Sequence, residues 1–474
     1  MEAVSTISIA LAKPERRLSL QLGYLIFPCA LMILILFMGY GKFVELGSER
    51  RWLITLAVIA PIIIMALRDP AQGLCIFAAA IIPIDILMDN GYVSYATIHL
   101  IIVPVTLLFF RKTKKNKTFQ GGKIFAFLFM GLIIIQLGRA QDFIVGVQKA
   151  LACLDTLLVL YFCITYMSNI QLKKVLNSYF AGLVLSILFV LVTHDWSLNV
   201  RLGDDLLLNP NNIALPCALG LIYLRYIQTT MRVGQWTWIA AAILMIALML
   251  TSSRAAIMAL LLGILVLTNA QRRFSKLIGI SLLMTLIIFI LFKAFFFETA
   301  TGVHMLQGLD VSSTSVDVDS TMGIRAKLFN EGIFLFLTNP IVGIGWTNFA
   351  PTANIQVGKR VLPAHNMFLE IAAEMGLIGL SITVIWLFLI YRYALRQNRD
   401  LGLAATAALL VWAFTHGNFL SGEIAIFWPI ALGIIERKQS PRLSFHHPLN
   451  AVVGPRMGHV NSHVGHNNSR KASF

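Results

Sequence analysis

Long apolar runs follow one another from Leu20 to Ile435, and short clusters of Lys and Arg separate them. Inside a bilayer no water is at hand to bond the backbone, so such runs must close their own hydrogen bonds as helices. The composition agrees. Hydrophobic residues make up 58% of the 474-residue chain and charged residues 13%, whereas a soluble domain carries roughly 25% charged residues. The expected fold is an all-α, polytopic membrane protein.

Runs of spanning character cover Leu20–Tyr40, Trp52–Leu67, Ala71–Met88, Tyr95–Phe110, Ile124–Leu137, Phe143–Met167, Val175–Val192, Ile213–Ile227, Trp236–Leu250, Ala255–Thr268, Leu277–Phe296 and Met367–Tyr391, with a further pair within Leu401–Ile435. Several fall short of the ~20 residues that a straight helix needs to cross the hydrocarbon. The expectation is therefore about twelve transmembrane helices, with fourteen as the upper count. The short apolar stretch Ile7–Ala12 is followed by Lys13, Arg16 and Arg17. It is too short for a signal-peptide core, which makes the first long run an uncleaved anchor.

The formal charge of +16 resides in the clusters Lys13 to Arg17, Arg111 to Lys117, Lys173 with Lys174, Arg272 to Lys276, and Arg392 to Arg399. Their recurrence between apolar runs is the positive-inside pattern and excludes a nucleic-acid surface. With these clusters in the cytoplasm, both termini lie there too. Three polar stretches are then outside: Thr193–Asn212, the hairpin tip Thr251–Arg254, and the loop Glu298–His365. The chain divides into an N-terminal transmembrane bundle (1–296), a large outer loop with short helices (297–365), C-terminal transmembrane helices (366–436), and a disordered cytoplasmic tail (437–474). The five cysteines, Cys29, Cys75, Cys153, Cys163 and Cys217, lie inside apolar runs and are expected to pack as small hydrophobes.

Within the long loop, Thr321–Leu337 reads as a helix with Ser320 as N-cap and Asn339-Pro340 as its stop. At 100° per residue Arg325 shares a face with Leu328, Phe329, Gly332 and Phe336. Asp317-Val318-Asp319 has metal-binding spacing, but it sits in a Ser/Thr-rich linker without an apolar strand to fix it. The tail histidines, His446 to His466, show no regular ligand spacing. No metal and no other cofactor is expected. His416, between the last two apolar runs, is an isolated intramembrane polar residue.

Arg254, Arg325 and His365 lie in separate segments that the topology brings to one membrane face. Two guanidinium forks suit the oxygens of a diphosphate. An imidazole there can take a proton from an incoming hydroxyl. A polyprenyl diphosphate carrying a glycan fits this arrangement as the donor, because its leaving group carries the charge that arginines stabilise.

The ordered set Thr251-Ser252-Ser253-Arg254, Gly323-Ile324-Arg325, Asn339-Pro340-Ile341-Val342-Gly343-Ile344-Gly345, His365-Asn366-Met367-Phe368-Leu369-Glu370 and Glu374-Met375-Gly376-Leu377-Ile378-Gly379 resembles the core of the O-antigen ligase and polymerase superfamily. The resemblance covers Arg254–Gly379, and Arg201 with Asn209-Pro210-Asn211 is similar to the family's earlier outer loop. It implies an all-helical inner-membrane glycosyltransferase with an undecaprenyl-diphosphate-linked glycan as donor and no metal. It also implies that Arg254 and Arg325 bind the diphosphate and that His365 acts at the acceptor. Arg201, Asn209, Asn211, Lys359, Arg360, Asn366 and Glu370 are candidates for substrate binding.

Each residue also has a structural reading. Arg254 can snorkel to headgroups, His365 can cap the following helix, Arg201 can pair with Asp204 or Asp205, and Glu370 and Glu374 suit a helix N-terminus. Three functions remain open on sequence. One is a ligase moving O-antigen from undecaprenyl diphosphate to lipid A-core in the periplasm. Another is a polymerase using the same donor, and the third is a transporter of lipid-linked oligosaccharide. No internal repeat and a polar cluster at one face favour an enzyme.

Overall fold

The computed structural model describes residues 26–34, 48–89, 97–112, 120–194, 196, 201–202, 210–230, 234–270, 321–357, 360–397, 399–414 and 424–434. The Leu277–Phe296 run, the Asp317/Asp319 linker, Asp204, Asp205, Asn209, Lys359, His416 and the tail lie outside them.

The described chain is helical almost throughout. Residues 26–34 form a helix, followed by α1 (Ser48–Arg68), α2 (Pro70–Asp89), α3 (Thr97–Lys112), α4 (Gln120–Leu137), α5 (Phe143–Thr165), α6 (Asn169–Thr193), α7 (Pro210–Thr230), α8 (Trp236–Leu250) and α9 (Arg254–Ala270). After these come α10 (Thr321–Thr338), α11 (Phe349–Ala353), β1 (Gln356–Val357), β2 (Arg360–Val361), α12 (Met367–Arg396), α13 (Asp400–Ala413) and α14 (Ile424–Gly433). The two strands pair antiparallel, Gln356 opposite Val361, and are a small β addition to the all-α expectation. Each described apolar run became a helix, and Trp236–Leu250 did so to the residue.

Among the described residues five helices are long and apolar enough to cross a membrane: Arg51–Arg68, Pro70–Met88, Phe143–Thr165, Asn169–Thr193 and Met367–Arg396. Shorter apolar helices lie beside them, Trp236–Leu250 and Arg254–Asn269 among them. The outside of the helices carries many large apolar side chains. Ile135, Val192, Trp238 and Phe388 stand exposed, which suits a hydrocarbon solvent and not water.

Small residues let the helices approach closely, as bundles in lipid require. α2 packs on α6, α14 on α5, and α9 on α13. At the α2–α6 contact a Cβ on Gly182 would stand 2.0 Å from the Ala79 carbonyl oxygen. Two buried hydroxyls in these helices bond within their own turn: Ser186 donates to the Gly182 carbonyl at 2.7 Å and Thr406 to that of Gly402 at 2.7 Å. Arg399, fully buried, donates to the Leu432 carbonyl and to the Tyr393 hydroxyl (2.7 Å), which ties α12, α13 and α14 together. No disulfide joins the five cysteines, four of which are buried.

α12 departs from expectation. It reads as one continuous helix in sequence, yet Gly376 has φ 64° and ψ −162°, so the helix is two pieces meeting at a break. The turn Pro340–Gly345 fills the gap. Ile344 and Gly345 N–H groups donate to the carbonyls of Ala373 and Glu374, both at 2.9 Å, while Leu377 N–H donates to Pro340 at 2.7 Å. An interrupted helix is tolerated in a membrane protein where other protein groups supply the missing partners, and here this turn does so.

Candidate active site

The α8–α9 hairpin turns through Thr251, Ser252 and Ser253, all buried, with Ser252 at φ 53°. Thr251 donates its hydroxyl to the Leu248 carbonyl at 2.7 Å. The Ser253 hydroxyl is buried with no partner among the described residues. Arg254 opens α9 and is exposed. The tip therefore combines a guanidinium, an unengaged hydroxyl and the unpaired N–H groups of a helix start, all suited to an anion. Leu202 N–H donates to the Leu250 carbonyl at 3.2 Å, which brings the Arg201 segment to the same tip.

α10 carries Arg325. The buried stripe of this helix runs through Leu328 and Leu335, and Gly332 lies against Leu369 of α12. Phe329 is exposed, as is Arg325 itself. This corrects the expected face: Arg325 flanks the packed stripe, because a face centred on Leu328 and Leu335 turns position 325 toward its edge. Partial desolvation, with repulsion from Arg254 second, lowers the Arg325 pKa from the ordinary guanidinium value. Neither arginine has a carboxylate partner among the described residues.

His365 precedes α12 with φ 51° and is half-buried. Desolvation and then the charge of Arg325 lower its pKa below the usual 6.5. The charge of Arg254 is thus felt at Arg325 and that of Arg325 at His365, so the three separate segments converge on one region. His365 does not cap the helix. That role belongs to Asn366, whose Oδ1 accepts from Leu369 N–H at 3.1 Å, so the Asn366 oxygen is occupied structurally.

Beneath this group lies a second polar cluster, which fixes the first. The loop between α4 and α5 is bonded to the Pro340–Phe349 segment: Gln136 Nε2 donates to Val342 at 2.9 Å, and Arg139 Nη2 to Gly343 at 3.0 Å. Asn348 Nδ2 donates to the Arg139 carbonyl at 2.8 Å, and Trp346 Nε1 to Gly146 of α5 at 3.1 Å. Glu374, buried, accepts from Phe349 N–H at 3.1 Å. Glu370, also buried, pairs with Lys149 of α5 at 3.5 Å.

Sequence reading missed Gln136, Arg139 and Lys149, which stand far along the chain from the motifs they hold, and it placed Ser253 within the Thr251–Arg254 motif without giving it a role. Of the remaining candidates, Arg360 lies in β2 and Asn211 in the first turn of α7. Another buried pair, His99 with Asp155, joins α3 to α5.

A comparison with curated proteins returns no match. Residues 239–384 match the family model described as O-antigen ligase, a span that holds Arg254, Arg325, His365, the Pro340–Gly345 turn and the Gly376 break.

Proposed function

We propose that this chain is an O-antigen ligase of the bacterial inner membrane. It transfers O-antigen polysaccharide from undecaprenyl diphosphate to lipid A-core at the periplasmic face, with both termini cytoplasmic and about twelve transmembrane helices. The observation that carries this reading is the convergence of Arg254, Arg325 and His365, each close enough to the next to feel its charge, within the span that matches the O-antigen ligase family model.

In the reaction, the bond between the anomeric carbon and its phosphate oxygen breaks. The diphosphate leaves with its electron pair, held by Arg254, Arg325 and the N-terminus of α9. The acceptor hydroxyl oxygen bonds to the anomeric carbon and gives its proton to His365, which the low pKa keeps neutral. Arg201, Asn209, Asn211, Lys359 and Arg360 border the substrates, while Asn366 and Glu370 serve them indirectly by holding the start of α12 that follows His365. Fixed arginines take the place of a divalent ion, so transfer continues in excess EDTA; turnover that EDTA abolishes and Mg²⁺ restores would refute this.

The lipopolysaccharide banding of cells lacking the protein tests the function. A ligase leaves polymer accumulating on the lipid carrier and no long-chain bands on core. Loss of polymer everywhere, with a single repeat on core, indicates a polymerase instead. Purified protein that moves donor across a bilayer without transferring its glycan indicates a transporter.

A further inference from the structure

We propose that Lys149 is a positioning residue for His365, latching the turn that carries the histidine to α5 through its ion pair with Glu370. The inference rests on the reading of His365 as the base. The break at Gly376 separates residues 367–375 from the rest of α12. That short piece is not carried by the long helix behind it, and its place is set by what it touches sideways.

Two side-chain contacts hold it besides the backbone bonds from Ile344 and Gly345. Glu374 accepts from Phe349 N–H and joins it to the start of α11, and Glu370 meets Lys149 and joins it to α5. One helical turn links Glu370 to the histidine: Glu370 N–H donates to the Asn366 carbonyl at 2.9 Å, Asn366 caps the helix, and His365 adjoins it at φ 51°.

The pair is asymmetric. The Glu370 side chain is 12% exposed and that of Lys149 38%, and Glu370 Oε2 has no partner among the described residues. Lys149→Met leaves a buried carboxylate without its cation. Such a group moves toward water if its backbone allows, and the break at Gly376 lets residues 367–375 shift without moving the rest of α12. His365 then shifts relative to Arg254 and Arg325, and misplacement of about 1 Å costs up to roughly 10²-fold in rate.

The test is a double-mutant cycle on purified full-length protein, with single-turnover transfer and binding of the lipid-linked donor measured separately. Lys149→Met is expected to slow transfer about 10- to 100-fold with donor binding within about twofold of wild type. Added to His365→Ala it should cost nothing more, because it acts through that residue. The exchange Lys149→Glu with Glu370→Lys should recover most of the rate. If Lys149→Met does not fold, Glu370→Gln breaks the same pair from the other side and should give the same split. An additive double variant, or equal loss of donor binding and transfer, overturns this inference alone. A wild-type rate in His365→Ala overturns the base assignment and this inference together.

Discussion

A histidine beside a fixed cation is a better-prepared base than a free one at mildly acidic pH, because both crowding and charge disfavour its protonated form. The neutral imidazole is the form that accepts a proton. Since burial and Arg325 lower the His365 pKa, transfer should be at its plateau above 6.5 and fall only as pH drops through the lowered value. Arg325→Gln removes one of the two causes, so the acidic limb of the pH–rate profile should move up toward 6.5. A limb that stays in place would detach the histidine from the arginine. The arginines themselves should not tolerate lysine. Arg254→Lys and Arg325→Lys keep the charge and lose the planar fork, and each should weaken donor binding about 10- to 100-fold, the scale of a hydrogen bond to a charged group. Titration calorimetry or a tethered-lipid assay reads this directly, and unchanged affinity in both variants would remove them from the diphosphate site.

At the scale of elements, the break in α12 is the feature on which most depends. A Cβ on Gly376 would stand 2.3 Å from the Ile341 carbonyl oxygen, in a backbone region that L-residues avoid. Gly376→Ala should therefore cost at least about 1 to 2 kcal/mol from the backbone alone, more because the turn must shift. It should lower the melting temperature in detergent and reduce transfer. Gly131→Ala is the matched control: no atom lies within 4 Å of its added methyl, so stability should hold or rise slightly. Equal melting of both variants would mean that the break is not maintained in solution.

The same element shows what a sequence can disclose. Helix extents follow from where apolar runs meet charge, which is local, so the runs from Trp52 to Leu250 are legible. Arg254, Arg325 and His365 stand out because cations and imidazoles are costly in apolar surroundings. The break is not legible, since a glycine between Met375 and Leu377 looks like a close-packing site in any membrane helix. Lys149 is invisible for another reason: its partner lies 221 residues away, and nothing near it in the chain announces a pair.

For the whole molecule the proposed orientation can be tested at a point the structure leaves accessible. Asn354, exposed at the end of α11 with φ 48°, should react as Asn354→Cys with an impermeant maleimide in outer-membrane-permeabilised cells. The native cysteines, four of them buried, are first replaced to give a silent background. Labelling that appears only after the inner membrane is broken would invert the topology and move the site to the cytoplasm.

The bonds from Gln136 and Arg139 to Val342 and Gly343 also set a schedule for biogenesis. They span 206 and 204 residues, so at roughly 5 to 20 residues per second a ribosome takes about 10 to 40 s to deliver the second partner. Through that interval the amide of Gln136 and the guanidinium of Arg139 sit at the rim of a half-built bundle with their eventual acceptors still unmade. Until the glycine-rich turn arrives, the N-terminal half lacks these two bonds at the end where the site will form.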